Sequence, residues 1–328
     1  MKSNEMEIVK SEKSTSFSEK IQKYYNQFGI FIIFFLMVIA LSFATDKFLQ
    51  YQNLINVIRQ ISFIAIIATG STFIIITGGI DLSPGSIMGL TSAISSMLAQ
   101  QNGLPLIVSL AIGLGLGAFC GFTNGFLVAK TKIPPFIATL GMMEIARGVA
   151  LLITNGRPVG NISRDLEFLG KGSIFGIPFP IFILVIVTFI MFVLLNNTPF
   201  GRRILALGGN EQAAKISGIS VEKVKIIVYT MGGLLAALAG ILMTGRVASG
   251  QPKLGVGFEM DAVAAAVIGG TSLSGGIGSI FGTLCGALVI GVINNGMDLL
   301  SVSAYWQQIV KGVIIVGAVI LDQLKHRK

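Results

Sequence analysis

Apolar runs of about 20 residues decide what this chain can become, because that is the length of helix that crosses a bilayer core. Several occur, among them residues 106–128, 179–195 and 226–244. Only 12% of the residues are charged, where an ordinary soluble domain carries about 25%. A very hydrophobic soluble core is set aside on that ground. The chain reads as all-α, a polytopic transmembrane helical bundle.

The spans expected from the apolar pattern are 28–44, 54–77, 86–99, 106–128, 136–154, 179–195, 226–244, a short 261–268, 280–295 and 307–321. Counting the short segment as a crossing gives about ten, with both termini on one side. The net charge of +9 does not indicate nucleic acid, because the basic residues are spread over the loops that flank the spans. Loops rich in lysine and arginine mark the cytoplasmic side. Fifteen lysines and arginines fall in segments placed in the cytoplasm, six outside and three (Arg59, Arg147 and Lys311) within spans. The chain thus divides into a polar cytoplasmic tail over 1–26, a transmembrane domain over 27–323 and a basic cytoplasmic tail over 324–328. The first tail is too long and too mixed in charge for a cleaved signal peptide.

Two stretches interrupt the apolar pattern. GGIDLSPG at 78–85 and GGTSLSGG at 269–276 agree at five of eight positions, pairing Gly78 with Gly269 and Gly79 with Gly270. Glycine, aspartate and proline break a helix there, and broken backbone at membrane depth is tolerated only inside protein or beside a water-filled cavity. Broken segments in corresponding halves point to a transport pathway. Gly78, Gly79, Asp81, Ser83, Gly269, Gly270, Thr271, Ser272 and Ser274 are its candidate lining. A purely structural role for the repeat stays open. The span count makes the two repeats parallel, and a count different by one crossing makes them inverted.

Elsewhere the small residues are for packing. Gly113, Gly117, Gly121 and Gly125 recur every four residues, and Gly232, Ala236 and Gly240 do the same on a later span. Such strips let helices approach closely. Glu144 and Arg147 lie three apart within one span and are expected to neutralise each other. Residues 155–178 form the longest loop outside the cytoplasm.

Catalytic chemistry is missing. Cys120 and Cys285 sit in glycine-rich apolar runs and read as packing residues, and the one histidine, His326, lies in the basic tail. No phosphate-binding loop is found: the closest approach is Gly125 followed by Lys130-Thr131, and there the second glycine is absent. Gly170-Lys171-Gly172 fails as well. Asp81, Asp261 and Asp298 lie near span ends and make no proton relay. The chain is a passage whose energy comes from elsewhere.

The polar stretch 205–224 is where that energy can enter. It lies between two apolar blocks in the cytoplasmic segment 197–225, flanked by Arg202, Arg203, Lys223 and Lys225. Its composition favours a short helix, with Asn210 as N-cap and Gly218 as a left-handed C-terminal cap. A capped helix between two spans is a handle.

Four stretches, ALGGNEQAAKISGI, the paired GGIDLS and GGTSLSGG segments, ATLGMMEIARGVALLITNGRPV and LGVGFEMDAVAAAVIGGTSLSGG, resemble the permease subunit of ribose-type sugar ABC importers. The similarity extends over about 45–323. It implies a monosaccharide importer, with ribose the expected sugar, in a bacterial cell membrane. It also implies a second permease copy, an extracytoplasmic sugar-binding protein and a cytoplasmic ATPase subunit. No cofactor is expected on this chain, since ATP and magnesium belong to the ATPase. By resemblance, Gly209, Asn210, Ala213, Ala214, Lys215, Ser217, Gly218 and Ile219 dock on the ATPase. On the outer face, Arg157, Arg164, Lys171, Arg246 and Lys253 are candidates for a basic surface that meets the binding protein. A secondary carrier and a passive channel are the rival readings.

Overall fold

The computed structural model describes residue 32 and residues 34–100 and 103–326. The N-terminal tail and the start of the first expected span lie outside the described residues. Among the described residues the elements in order are α1 (Phe34–Ala44), α2 (Tyr51–Ile76), α3 (Pro84–Leu98), α4 (Leu106–Phe126) and α5 (Pro135–Thr154). A single π-helical turn, Leu127–Thr131, extends α4. Then come α6 (Arg164–Lys171), the short strands β1 (Ser173–Ile174) and β2 (Ile177–Pro178), α7 (Phe179–Asn197), α8 (Pro199–Gly209) and α9 (Glu211–Ile216). The chain closes with α10 (Val221–Val247), α11 (Phe258–Ile268), α12 (Ile280–Leu299) and α13 (Ala304–His326).

Among the described residues, six helices are long and apolar enough to cross a membrane: α2, α4 with its π turn, α5, α7, α10 and α12. α1 and α13 contribute shorter apolar stretches, and α3 and α11 have 15 and 11 residues. The last two are short because each abuts a broken segment.

Burial sorts the helices. Every residue of α2 from Ile61 to Ile76 is buried, as expected for a helix that is apolar all round and enclosed by others. On α7 only Pro180, Val187, Met191 and Leu195 are buried; the last three repeat every four residues, and Val185, Ile186, Phe189 and Ile190 face outward. α10 is the hub, and its glycines explain why. Gly117 and Gly121 of α4 press on Gly233 so closely that an added Cβ would collide with backbone. Gly232 faces Ile74 of α2, and Gly240 faces Met88 of α3. Small residues on three sides let three helices reach the axis of one, so both expected strips are packing strips.

The two breaks follow one pattern. After α2, Gly78 turns to φ 78° while its amide donates to the Ile75 carbonyl and that of Gly79 to the Ile74 carbonyl. After α11, Gly270 takes φ 89°, its amide donating to Val267 and that of Thr271 to Ala266. Both are Schellman caps. In register, therefore, Gly78 corresponds to Gly270 rather than Gly269, and the expected pairing is off by one. Identical letters misled because a cap is placed by its positive φ, and the adjacent glycine supplies none. Thr72 Oγ1 of α2 meets Thr283 Oγ1 of α12 at 2.6 Å, and Asn53 bonds Asn295 at the other end, so these helices run antiparallel.

Residues 155–178 hold more order than a loop. Ser163 Oγ accepts from the Leu166 amide to start α6, and a two-residue hairpin follows it.

Candidate functional site

The handle is two helices where one was expected. Thr198 Oγ1 accepts from the Gly201 amide and Pro199 occupies the first turn, so α8 begins well before the polar stretch. A Thr-Pro pair at a helix start is a readable signal that the apolar-to-polar transition obscured. α9 then begins at Asn210, whose Oδ1 accepts from the Ala213 amide at 2.9 Å. It ends at Gly218, φ 81°, with Gly218 donating to Lys215 and Ile219 to Ala214. Both expected caps are present in the geometry.

Ala214 tucks inward while Gly209, Ala213, Lys215, Ser217 and Gly218 are exposed and Ile219 is half-buried. Ile216, not singled out in the sequence, is 88% exposed at the tip of α9. Among the described residues nothing covers its apolar side chain. Lys225 holds Glu211 at 2.8 Å, bracing α9 against α10, and Lys130 pairs with Glu222, bracing the π turn against α10. Beside α9 a cleft of about 520 Å³ is lined by Val128, Pro134, Glu211, Lys215, Ile219 and Lys225, among others.

The handle touches both breaks. Gly276 donates its amide to the Ile76 carbonyl at 2.8 Å, joining the second break to the end of α2. Gly208 of α8 sits against that same bond: an added Cβ would strike the Ile76 oxygen and the Gly276 nitrogen. A Cβ on Gly276 would lie 2.9 Å from the Gly209 Cα. Three segments far apart in sequence thus meet backbone to backbone. Gly208, Gly275 and Gly276 were missed because each reads as one glycine among many.

The candidate lining residues are not brought to one open passage. Gly79, Asp81, Ser83, Thr271 and Ser272 are buried, Gly269 is half-buried, and Gly78, Gly270 and Ser274 are exposed. Asp81 Oδ1 is taken by the Ser83 amide at 2.8 Å and hydroxyl at 2.6 Å, and Asn124 reaches the same hydroxyl. These groups serve the turn that restarts the chain into α3.

At the end of the bundle away from α9, Arg157, Arg164, Lys171 and Lys253 are exposed. Lys171 is paired with Glu167 at 2.6 Å. Arg246 departs from the expected basic surface. It is half-buried, with its guanidinium 5.7 Å from the centre of the Phe63 ring. Packing on an aromatic face holds it inside.

Arg147 has a partner other than the one expected, and Asp261 and Lys311, for which none was named, hold each other. Arg147 does not bond Glu144. Its Nη1 donates to the carbonyls of Pro252 and Leu254 at 2.6 and 3.1 Å, pinning the loop between α10 and α11 onto α5. Asp261, buried on α11, accepts from Lys311 Nζ of α13 at 2.8 Å and from Asn294 Nδ2 of α12 at 3.2 Å. Among the described residues no cluster of histidine, cysteine or carboxylate groups is arranged to hold a metal.

A multi-helix bundle with apolar spans and a capped polar handle between two of them fits a membrane transport subunit. Comparison with known proteins agrees. Residues 53–319 match the family described as "Branched-chain amino acid transport system / permease component". The ribose import permease of Bacillus subtilis strain 168 is 46% identical over 299 residues, covering 90% of this chain and 92% of that protein. The ribose import permease of Escherichia coli K12 is 47% identical over 300 residues, 90% and 93% of the two chains. The L-arabinose transport system permease of the same strain is 38% identical over 308 residues, 93% of each. No solved structure matches. The chain belongs to this permease family, in its ribose-type sugar branch, and is a multi-pass membrane transport subunit rather than an enzyme.

Proposed function

We propose that this chain forms the membrane pathway of an ATP-driven importer that brings a monosaccharide, ribose first among candidates, into the cytoplasm. It works with a second permease copy, a cytoplasmic ATPase subunit that carries ATP and magnesium, and an extracytoplasmic sugar-binding protein. Identity of 44–47% with ribose import permeases over about nine-tenths of the chain supports the sugar class. The distribution of lysine and arginine supports placing α9 and both termini in the cytoplasm.

The observation that carries the mechanism is the junction of Gly208, Ile76 and Gly276. On this reading the ATPase grips α9 through Ile216 and its exposed neighbours. Glycine contacts leave no compressible side chain between α8 and the two breaks, so displacement of α9 moves the ends of α2 and α11 together. Binding energy at the handle becomes a shift between two arrangements of the bundle. Gly78, Gly270 and Ser274 are the exposed break residues that change surroundings in that shift. The four exposed cations at the other end steer the binding protein into place.

The test is uptake of labelled sugar by proteoliposomes that contain this chain, a ribose-type ATPase and a loaded binding protein. ATP-dependent uptake of ribose in preference to arabinose and xylose is expected. Uptake driven by a proton or sodium gradient without the ATPase would replace this reading with a secondary carrier.

A further inference from the structure

The turn that restarts the chain into α3 uses only half of its aspartate. Asp81 Oδ1 takes both the amide and the hydroxyl of Ser83, whereas Oδ2 is buried without a partner. The residue is 2% exposed. Among the described residues no lysine or arginine pairs with it, in contrast to Asp261, which has Lys311. The titratable side chains that sense its charge are Tyr229 and Cys120, and neither is a cation. Buried charges are as a rule paired or bound to a metal ion.

Two more buried oxygens beside it lack partners. Asn124 of α4 donates through Nδ2 to the Ser83 hydroxyl at 2.9 Å, and its Oδ1 is left over. Tyr229 of α10, buried in the core, has no partner for its hydroxyl.

Glycines draw these groups together. Gly121 and Gly125 bring the part of α4 that carries Asn124 against the backbone and Cβ of Tyr229. The Tyr229 hydroxyl ends over Gly79, where an added Cβ would strike it. One turn further along α10, a Cβ on Gly232 would lie 4.0 Å from Asp81 Oδ2. The three oxygens thus share one buried spot between α4, α10 and the first break, and the hydroxyl bonds neither of the other two.

Asp81 Oδ2 and Asn124 Oδ1 only accept when the carboxyl is ionised, and a hydroxyl can turn its lone pairs to the same point. A water molecule there would satisfy acceptors but leave the charge uncompensated among apolar helices. A proton on Oδ2 would remove the charge but could be shared with only one of the other two oxygens. A cation answers both needs.

We propose that Asp81 Oδ2, Asn124 Oδ1 and the Tyr229 hydroxyl hold one alkali-metal cation, sodium or potassium, which ties the first break to α4 and α10. Carboxylate and carbonyl oxygens suit hard cations. A single carboxylate balances a single positive charge, whereas calcium takes about six to eight oxygens and magnesium an octahedral shell that keeps several waters. The cation site does not depend on which substrate the chain carries.

The full chain, purified in detergent, is unfolded by heat in sodium, potassium or N-methylglucamine chloride at one ionic strength. Sodium or potassium at about 100 times its Kd should raise the midpoint by about 5 °C over N-methylglucamine. Equal midpoints in all three salts would overturn the proposal. Asp81→Asn should abolish the response. Tyr229→Phe keeps the ring that packs on α4 and loses only one oxygen, so it should fold and raise the cation's Kd by about tenfold or more. It decides the matter if Asp81→Asn does not fold. A full response in Tyr229→Phe would place the ion elsewhere and overturn the assignment. A midpoint that rises on acidification and ignores both cations would put a proton on Asp81 and overturn it as well.

Discussion

The amide of Gly276 donates to the carbonyl of Ile76 at 2.8 Å, across 200 residues of sequence. That bond ties the end of α2 to the second broken segment, and Gly208 of α8 lies against it without room for a methyl group. Helix ends normally leave carbonyls unpaired. Here an unpaired carbonyl becomes the joint between the membrane bundle and the handle.

Substitution at Gly208 should therefore be costly out of proportion to its size. Gly208→Ala is expected to destabilise the detergent-solubilised complex by about 1–3 kcal/mol, the range for overpacking. Gly209→Ala should do far less, because a Cβ there meets nothing within 4 Å. Thermal unfolding of the two variants checks the difference. Equal midpoints would mean that α8 and α2 are not in contact at Gly208.

The ion pair of Asp261 and Lys311 makes a second prediction. The carboxylate is buried, and Lys311 is its only cationic partner among the described residues. Lys311→Met alone leaves that charge uncompensated, and about 3–5 kcal/mol is the usual cost of breaking such a pair. Asp261→Asn with Lys311→Met should recover most of the loss. A double-mutant cycle on unfolding midpoints measures the coupling, and additive losses would show that the two residues do not act together.

Arg147 fixes the loop between α10 and α11 through two carbonyls. Arg147→Gln should free residues 250–257 while α5 stays in place. With the native thiols replaced, Lys253→Cys should then be cleaved or labelled several-fold faster than in the parent. The same rate in both would show that the loop is held without Arg147, by contacts such as the paired backbones of Gly250 and Val159.

Much of this was readable in the sequence, and the limits have physical causes. Long apolar runs mark spans because the bilayer fixes their length, so 106, 154 and 179 fell within a residue or two of real helix ends. Asn210 and Gly218 were readable because a cap is local chemistry. The junction at Gly208 was not, since its partners are Ile76 and Gly276 and no local pattern announces a backbone approach. Glu144 and Arg147 have spacing that permits pairing, yet loop carbonyls brought in by the fold won the guanidinium. Asp261 and Lys311 are 50 residues apart and met only through α11 and α13. The repeat was visible as letters, but its register is set by positive φ at Gly78 and Gly270.

If force applied to α9 drives the bundle, ATP hydrolysis in proteoliposomes must depend on that helix. The liposomes hold this chain with its ATPase subunit, and sugar-loaded binding protein is added. Gly218 has φ 81°, whereas proline is held near −65°, so Gly218→Pro must deform the end of α9. Loaded binding protein is expected to stimulate hydrolysis in the wild type, and that stimulation is expected to be lost in Gly218→Pro although the complex still assembles. Full stimulation in the variant would contradict a role for α9 in coupling.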